Sequence, residues 1–193
     1  MAHKEWIMNS VREQMPEKRW RHTEGVIQSA IQLAKQYGSD PSKAELAAIL
    51  HDVAKYWPVE RQREVLIESG YAEDLLAYDK PLWHGPVGAY VAQKEYGIAD
   101  QDILNAIRYH TSGRVGMSLL EKVICLADYI EPGRDFPGVE DIRRLSASSL
   151  EEALVEGLDG TIRFLLEQKQ IVYPMTILAR NALLKEAKET KHK

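Results

Sequence analysis

Ala47-Ala-Ile-Leu-His-Asp-Val-Ala-Lys-Tyr-Trp57 (AAILHDVAKYW) is the stretch whose reading decides the fold. Leu46, Ile49, Leu50 and Val53 recur at offsets of three, four and seven, the spacing of a helix face turned to a core. His51 and Asp52 sit side by side at the edge of that stripe. Burying an imidazole and a carboxylate together costs free energy unless both find partners. The pair therefore predicts further polar groups on neighbouring helices.

Working outward, helical spacing recurs and strand alternation is almost absent. Trp20, Val26, Ile27, Ala30, Ile31, Ala34 and Tyr37 form one stripe that Gly38 stops. Asp40-Pro41 reads as an N-cap followed by a first-turn proline. Pro58 opens a charged helix closed by Gly70. His84-Gly85-Pro86 precedes a helix through Val87, Tyr90 and Val91, and Asp100 begins one carrying Ile103, Leu104 and Ile107. Ser118 with Glu121, and Ser149 with Glu152, match the capping box. A last helix starts near Pro174, and its Lys-rich tail (KEAKETKHK) is expected to fray. The pattern predicts an all-α bundle of roughly eight to ten helices.

Composition bounds the function. Of 193 residues, 45% are apolar and 28% charged, which suits one domain with a sizeable core. Twenty-five basic residues against 29 acidic ones give a net charge of -4, which argues against a nucleic-acid or membrane footprint. A small polyanion at one local site stays compatible. The single Cys125 lies in the apolar run Val-Ile-Cys-Leu-Ala and reads as core. One cysteine allows no internal disulfide, the first residues carry charges throughout, and no run approaches a membrane span. The expectation is a cytoplasmic protein.

Six histidines occur. His3 and His192 fall near the ends of the sequence. His22 lies on the stripe of Val26 and Ala30, and His110 follows Ile103 and Ile107 at offsets of seven and three. His84 stands at a helix entrance. Asp128 follows Leu120 and Ile124 by eight and four, so its carboxylate points inward as well. A lone histidine on an apolar face is usually a satisfied core residue. Four histidines and two aspartates spread over several helices are harder to satisfy separately. A shared divalent metal would neutralise the carboxylates and occupy the imidazole lone pairs together.

In order, His22, His51-Asp52, His84, His110 and Asp128 resemble the H…HD…H…H…D pattern of the HD-domain metal-dependent phosphohydrolase superfamily. RHTEGV (21–26), LHDVAK (50–55), HGPVGA (84–89), YHTSGR (109–114) and LADYIEPGRDFPGV (126–139) are similar to the bacterial YqeK-type HD proteins, symmetrical bis(5'-nucleosyl)-tetraphosphatases. The resemblance implies an HD-type helical domain over 1–193, with a metal-binding core about 18–135 and helices of 138–190 packing on it. It implies cleavage of diadenosine tetraphosphate into two ADP, iron as the usual metal, a small nucleotide as partner, and a homodimer.

The residues themselves reach the reaction class. A mixed nitrogen and oxygen site suits iron, manganese, cobalt or zinc, and activates water while polarising a phosphoryl oxygen. His22, His51, Asp52 and Asp128 would hold one ion. His84 and His110 would either hold a second, bridged by Asp52, or bond phosphate directly. Asp52 or Asp128 would orient the water. Lys55, one helical turn after His51, would neutralise leaving phosphates, and Arg134 would clamp them bidentately. His22 and Thr111 join the expected substrate contacts. In Ile171-Val-Tyr-Pro-Met-Thr176, Tyr173 would stack on a base near a helix start, with Thr176 beside it. Rival readings are another HD-type nucleotide phosphohydrolase, for deoxynucleotides, nucleoside monophosphates or alarmones, and a metal protein that senses nucleotides without turnover.

Overall fold

The computed structural model describes residues 2–191. In chain order these form α1 (Ala2–Glu13), α2 (Glu17–Tyr37), α3 (Pro41–Leu50), α4 (Val59–Ser69), the single turn α5 (Ala72–Leu75) and a 3-10 turn (Lys80–Leu82). There follow α6 (His84–Lys94), α7 (Gln101–Tyr109), α8 (Leu119–Ile130), α9 (Val139–Ser146), α10 (Leu150–Glu167) and α11 (Pro174–Lys191). Ten of these are helices of eight residues or more, and there is no strand among the described residues, as the spacing predicts. His3, near the start of the sequence, lies in α1 with its ring stacked on Trp6, while His192 lies outside the described residues.

Most helix ends follow their sequence signals. Asp40 caps α3 by accepting the amides of Ser42 and Lys43, and Asp100 caps α7 through Asp102 and Ile103. Ser118 and Glu121 form the full reciprocal box on α8. Gly38 and Gly70 end α2 and α4 in the left-handed region, at φ 80° and 75°. Two starts and stops differ. Helix α6 begins at His84 itself, one turn earlier than the Gly-Pro pair suggests. Helix α3 ends at Leu50, so His51 and Asp52 lie beyond the helix rather than within it. The His51 side chain explains the stop. Its Nδ1–H donates to the Ala48 carbonyl at 2.7 Å, the acceptor that residue 52 would use in a continued α-helix. Tighter turns follow, with Val53 N–H on Leu50 and Lys55 N–H on Asp52.

The core lies around α3 and α8. Ala44, Ala47, Ala48, Ile49 and Leu50 of α3 are fully buried, and the alanines let α2 and α7 approach closely. Helix α8 buries Leu120, Val123, Ile124, Cys125, Leu126 and Ala127, so it is apolar nearly all round. Helix α2 covers both, α6 packs on α7, and α10 joins α8 to α9 and α11. Gly85 permits the α6–α7 contact: a Cβ there would stand 2.7 Å from the Arg108 carbonyl oxygen. That closeness brings His84 to His110.

Candidate functional site

Three helices aim their carbonyl ends at one place. His51 caps the end of α3, His110 caps the end of α7, and Asp128 lies in the last turn of α8. Helix C-termini carry partial negative charge and favour a cation within a turn or so. His22 enters from α2, and His84 from the start of α6.

The rings are held so that their Nε2 atoms converge. His110 donates Nδ1–H to the Ile107 carbonyl at 2.7 Å, repeating the arrangement of His51 with Ala48. His22 places Nδ1 3.0 Å from Glu131 Oε1 and donates to that carboxylate. Around Asp52, Oδ2 stands 3.1 Å from His51 Nε2 and 3.8 Å from His22 Nε2. Its Oδ1 stands 3.0 Å from His84 Nε2 and 3.8 Å from His110 Nε2. His84 Nε2 and His110 Nε2 are themselves 3.0 Å apart, and His22 Nε2 is 3.0 Å from Asp128 Oδ1. Two triads result, His22–His51–Asp52 and Asp52–His84–His110, each with its ligand atoms within 4.8 Å of one another.

Charge states follow from burial. His51 and His84 are held well below the ordinary imidazole range, first by burial and then by His110 and Lys55 respectively. Burial and the neighbouring His84 bring His110 down to about 3. These three rings are neutral near pH 7, with Nδ1 of His51 and His110 committed as donors. Burial alone would raise Asp128, but the His22 hydrogen bond and the Arg134 charge outweigh it and keep the carboxylate ionised. The Nε2 atoms of His51 and His110 therefore turn lone pairs towards the Asp52 carboxylate. His51 Nε2 and Asp52 Oδ1 are buried without a hydrogen-bond partner, while Asp52 Oδ2 is met by the Arg19 guanidinium and His22 Nε2 by Asp128. Groups like these cost free energy when unpaired, and a divalent cation on nitrogen and oxygen donors satisfies them at once. The residues present fit such a metal.

Cations border the cluster. Lys55 Nζ lies 3.3 Å from His84 Nε2, and burial followed by the charge of Arg19 lowers its pKa to about 8. Arg134 donates Nε–H to the Asp128 carbonyl at 2.7 Å and pairs with Asp128 Oδ1. Thr111 Oγ1 is 3.1 Å from His110 Nε2. Tyr173 and Thr176 are not brought to the cluster. They line a neighbouring groove that Thr111 also borders, and the Tyr173 hydroxyl donates to Asp74 at 3.0 Å.

Three residues of the site region escaped the sequence reading. Arg19, one turn before His22, contacts Asp52. Glu131, one turn after Asp128, orients His22. Arg143 donates to the carbonyls of Ile130, Glu131 and Arg134 at 3.1, 2.8 and 3.0 Å. A signal for Glu131 was Gly25, where a Cβ would stand 2.4 Å from Glu131 Oε2.

Comparison with known proteins gives a consistent answer. Residues 19–133 match the family model described as HD domain. A curated relative from Bacillus subtilis, a symmetrical bis(5'-nucleosyl)-tetraphosphatase, is 48% identical, covering 94% of this chain and 97% of its own. One of the same description from Staphylococcus aureus is 44% identical over 86% and 87%. A crystal structure described as a predicted HD superfamily hydrolase involved in NAD metabolism, from Clostridium acetobutylicum, superposes with a TM-score of 0.86. It is 39% identical and covers 94% of this chain and 97% of that one.

Proposed function

The chain belongs to the HD domain family, and from that premise we propose that it hydrolyses diadenosine tetraphosphate symmetrically to two ADP with the help of divalent metal. The observation that carries the reading is Asp52, whose two buried carboxylate oxygens face separate histidine pairs, Oδ2 beside His51 and His22 and Oδ1 beside His84 and His110. His22, His51, Asp52 and Asp128 would hold one ion, and His84 and His110 would either hold a second with Asp52 or bond phosphate directly. Metal at such a site supplies a Lewis acid that makes water nucleophilic and polarises a phosphoryl oxygen. Iron is the metal proposed, and the donor set also admits manganese, cobalt and zinc.

The chain's own residues do the rest. Asp128, ionised and 3.0 Å from His22, accepts a hydrogen bond from the attacking water and orients it. Lys55 and Arg134 stand at the rim and take up phosphate charge, Lys55 as a point charge and Arg134 through its planar fork. Thr111 presents its hydroxyl to the phosphate nearest His110. The buried, largely apolar wall of α3 and α8 excludes bulk water and strengthens these interactions. No helix among the described residues is long and apolar enough to cross a membrane; a cytoplasmic homodimer is proposed on the family resemblance alone.

The test is metal analysis of purified protein followed by chromatography of products from diadenosine tetraphosphate. ADP as the sole nucleotide product is expected. ATP with AMP sinks symmetric cleavage, and bound nucleotide without turnover points to a sensor.

A further inference from the structure

Asp52 Oδ2 is claimed twice. It belongs to the His22–His51–Asp52 triad, 3.1 Å from His51 Nε2 and 3.8 Å from His22 Nε2, and it also meets the Arg19 guanidinium. Arg19 stands on α2 one turn before His22, so the helix that supplies a ligand supplies its competitor too. This arginine is set deep. Its side chain is 15% exposed, and its Nε–H is enclosed without an acceptor. Arg134, by contrast, is 33% exposed and donates its Nε–H to the Asp128 carbonyl. The carboxylates of Asp52, Asp128 and Glu131 are matched by Arg19, Lys55 and Arg134, one cation for each. The cations also crowd one another: Arg134 lowers the pKa of Arg19, and both arginines lower that of Lys55. A divalent ion therefore adds positive charge in excess, which favours an accompanying polyanion.

We propose that Arg19 is an exchangeable counter-ion of Asp52, which yields Oδ2 to a divalent ion at the His22 triad and turns its freed guanidinium to phosphate. The inference rests on the reading of the cluster as a metal site. Charges separated by a few ångströms in a buried setting interact strongly, so a guanidinium on the ligand oxygen opposes a second cation there. Arg19 thus holds the affinity of the His22 triad below what its donors alone would give. It also keeps the buried Asp52 carboxylate paired whenever that oxygen is not ligating, and an uncompensated buried charge is strongly destabilising. Once displaced, Arg19 is a planar fork with its donors unspent, beside Lys55 and Arg134. A fork of that shape matches a phosphate. The ion releases the group that phosphate uses, and by reciprocity phosphate strengthens the hold on the ion. Metal and polyphosphate then load cooperatively through one side chain.

The experiment starts from the manganese-loaded full chain and compares wild type with Arg19→Gln, Arg19→Met and Arg19→Lys. Competition with a chelating dye reads manganese affinity with and without inorganic phosphate, and thermal unfolding of each loaded protein shows that it is folded. The two neutral variants remove the competing charge and should bind manganese about tenfold more tightly. Either one suffices if the other does not fold. Arg19→Lys keeps the charge and should stay within about threefold of wild type. Phosphate should tighten manganese binding in wild type, and the neutral variants should lose most of that gain. Unchanged or weaker manganese binding in the neutral variants marks Arg19 as a brace for Asp52 and overturns the exchange. An equal phosphate gain in wild type and neutral variants overturns the coupling to phosphate. Failure of wild type to bind manganese instead overturns the metal reading itself.

Discussion

Among the rings of the cluster, His22 differs from His51 and His110 in what orients it. The other two lean on backbone carbonyls, whereas His22 depends on the Glu131 carboxylate at 3.0 Å. Partners of this kind set the tautomer and basicity of a metal-binding histidine. Glu131→Gln should lower metal affinity by about 10- to 100-fold. Glu131→Ala should do at least as much, both measured by competition with a chelating dye. His51→Ala and Asp128→Ala should lose metal and turnover together, and wild-type turnover in either would show the site to be misassigned. Arg134 is tied to Asp128 by two bonds, so Arg134→Ala should raise KM for the nucleotide while leaving metal content near wild type.

Elements hold these residues in register through two contacts that sequence patterns do not announce. Gly85→Ala would drive a methyl into the Arg108 carbonyl, so α6 must move off α7. Overpacking of this kind costs about 1–3 kcal/mol, readable in urea denaturation, and it should also separate His84 from His110. Arg143, on α9, fastens the end of α8 and the loop after it through three carbonyls. Arg143→Lys cannot reproduce that fork, so metal should dissociate faster from the variant. Helix starts were legible because a cap is a local event: Asp40, Asp100 and Ser118 each satisfy amides two or three residues away. The end of α3 was hidden because no glycine or proline marks it, and a histidine side chain takes over the carbonyl instead. His22, His51, His84, His110 and Asp128 were readable from order and spacing. Arg19 and Arg143 were not, since an arginine on a helix looks like surface until its partner from a distant segment is placed.

At the scale of the whole molecule, the cluster makes folding depend on pH and metal. His110 in the folded chain titrates at about 3 against an ordinary 6.5, and His51 and His84 shift the same way. Between those values the unfolded chain binds protons that the folded chain refuses, so stability falls as pH drops through that window. Chelated protein should accordingly unfold at lower urea as pH is taken from 7 towards 4. Metal held by the assembled triads would favour the folded chain over the unfolded one. At a hundredfold excess over its dissociation constant it should add about 2.7 kcal/mol, lost on adding EDTA and visible as a fall in Tm.

The backbone anchoring of two rings has a consequence for engineering. The orientation of His51 and His110 is written into helix ends, so a library cannot adjust it without dismantling α3 or α7. His22 can be adjusted, because Glu131, Gly25 and Gly133 form a small side-chain setting around its outer nitrogen. A search for variants with altered metal preference should randomise those three positions and leave the other histidines alone.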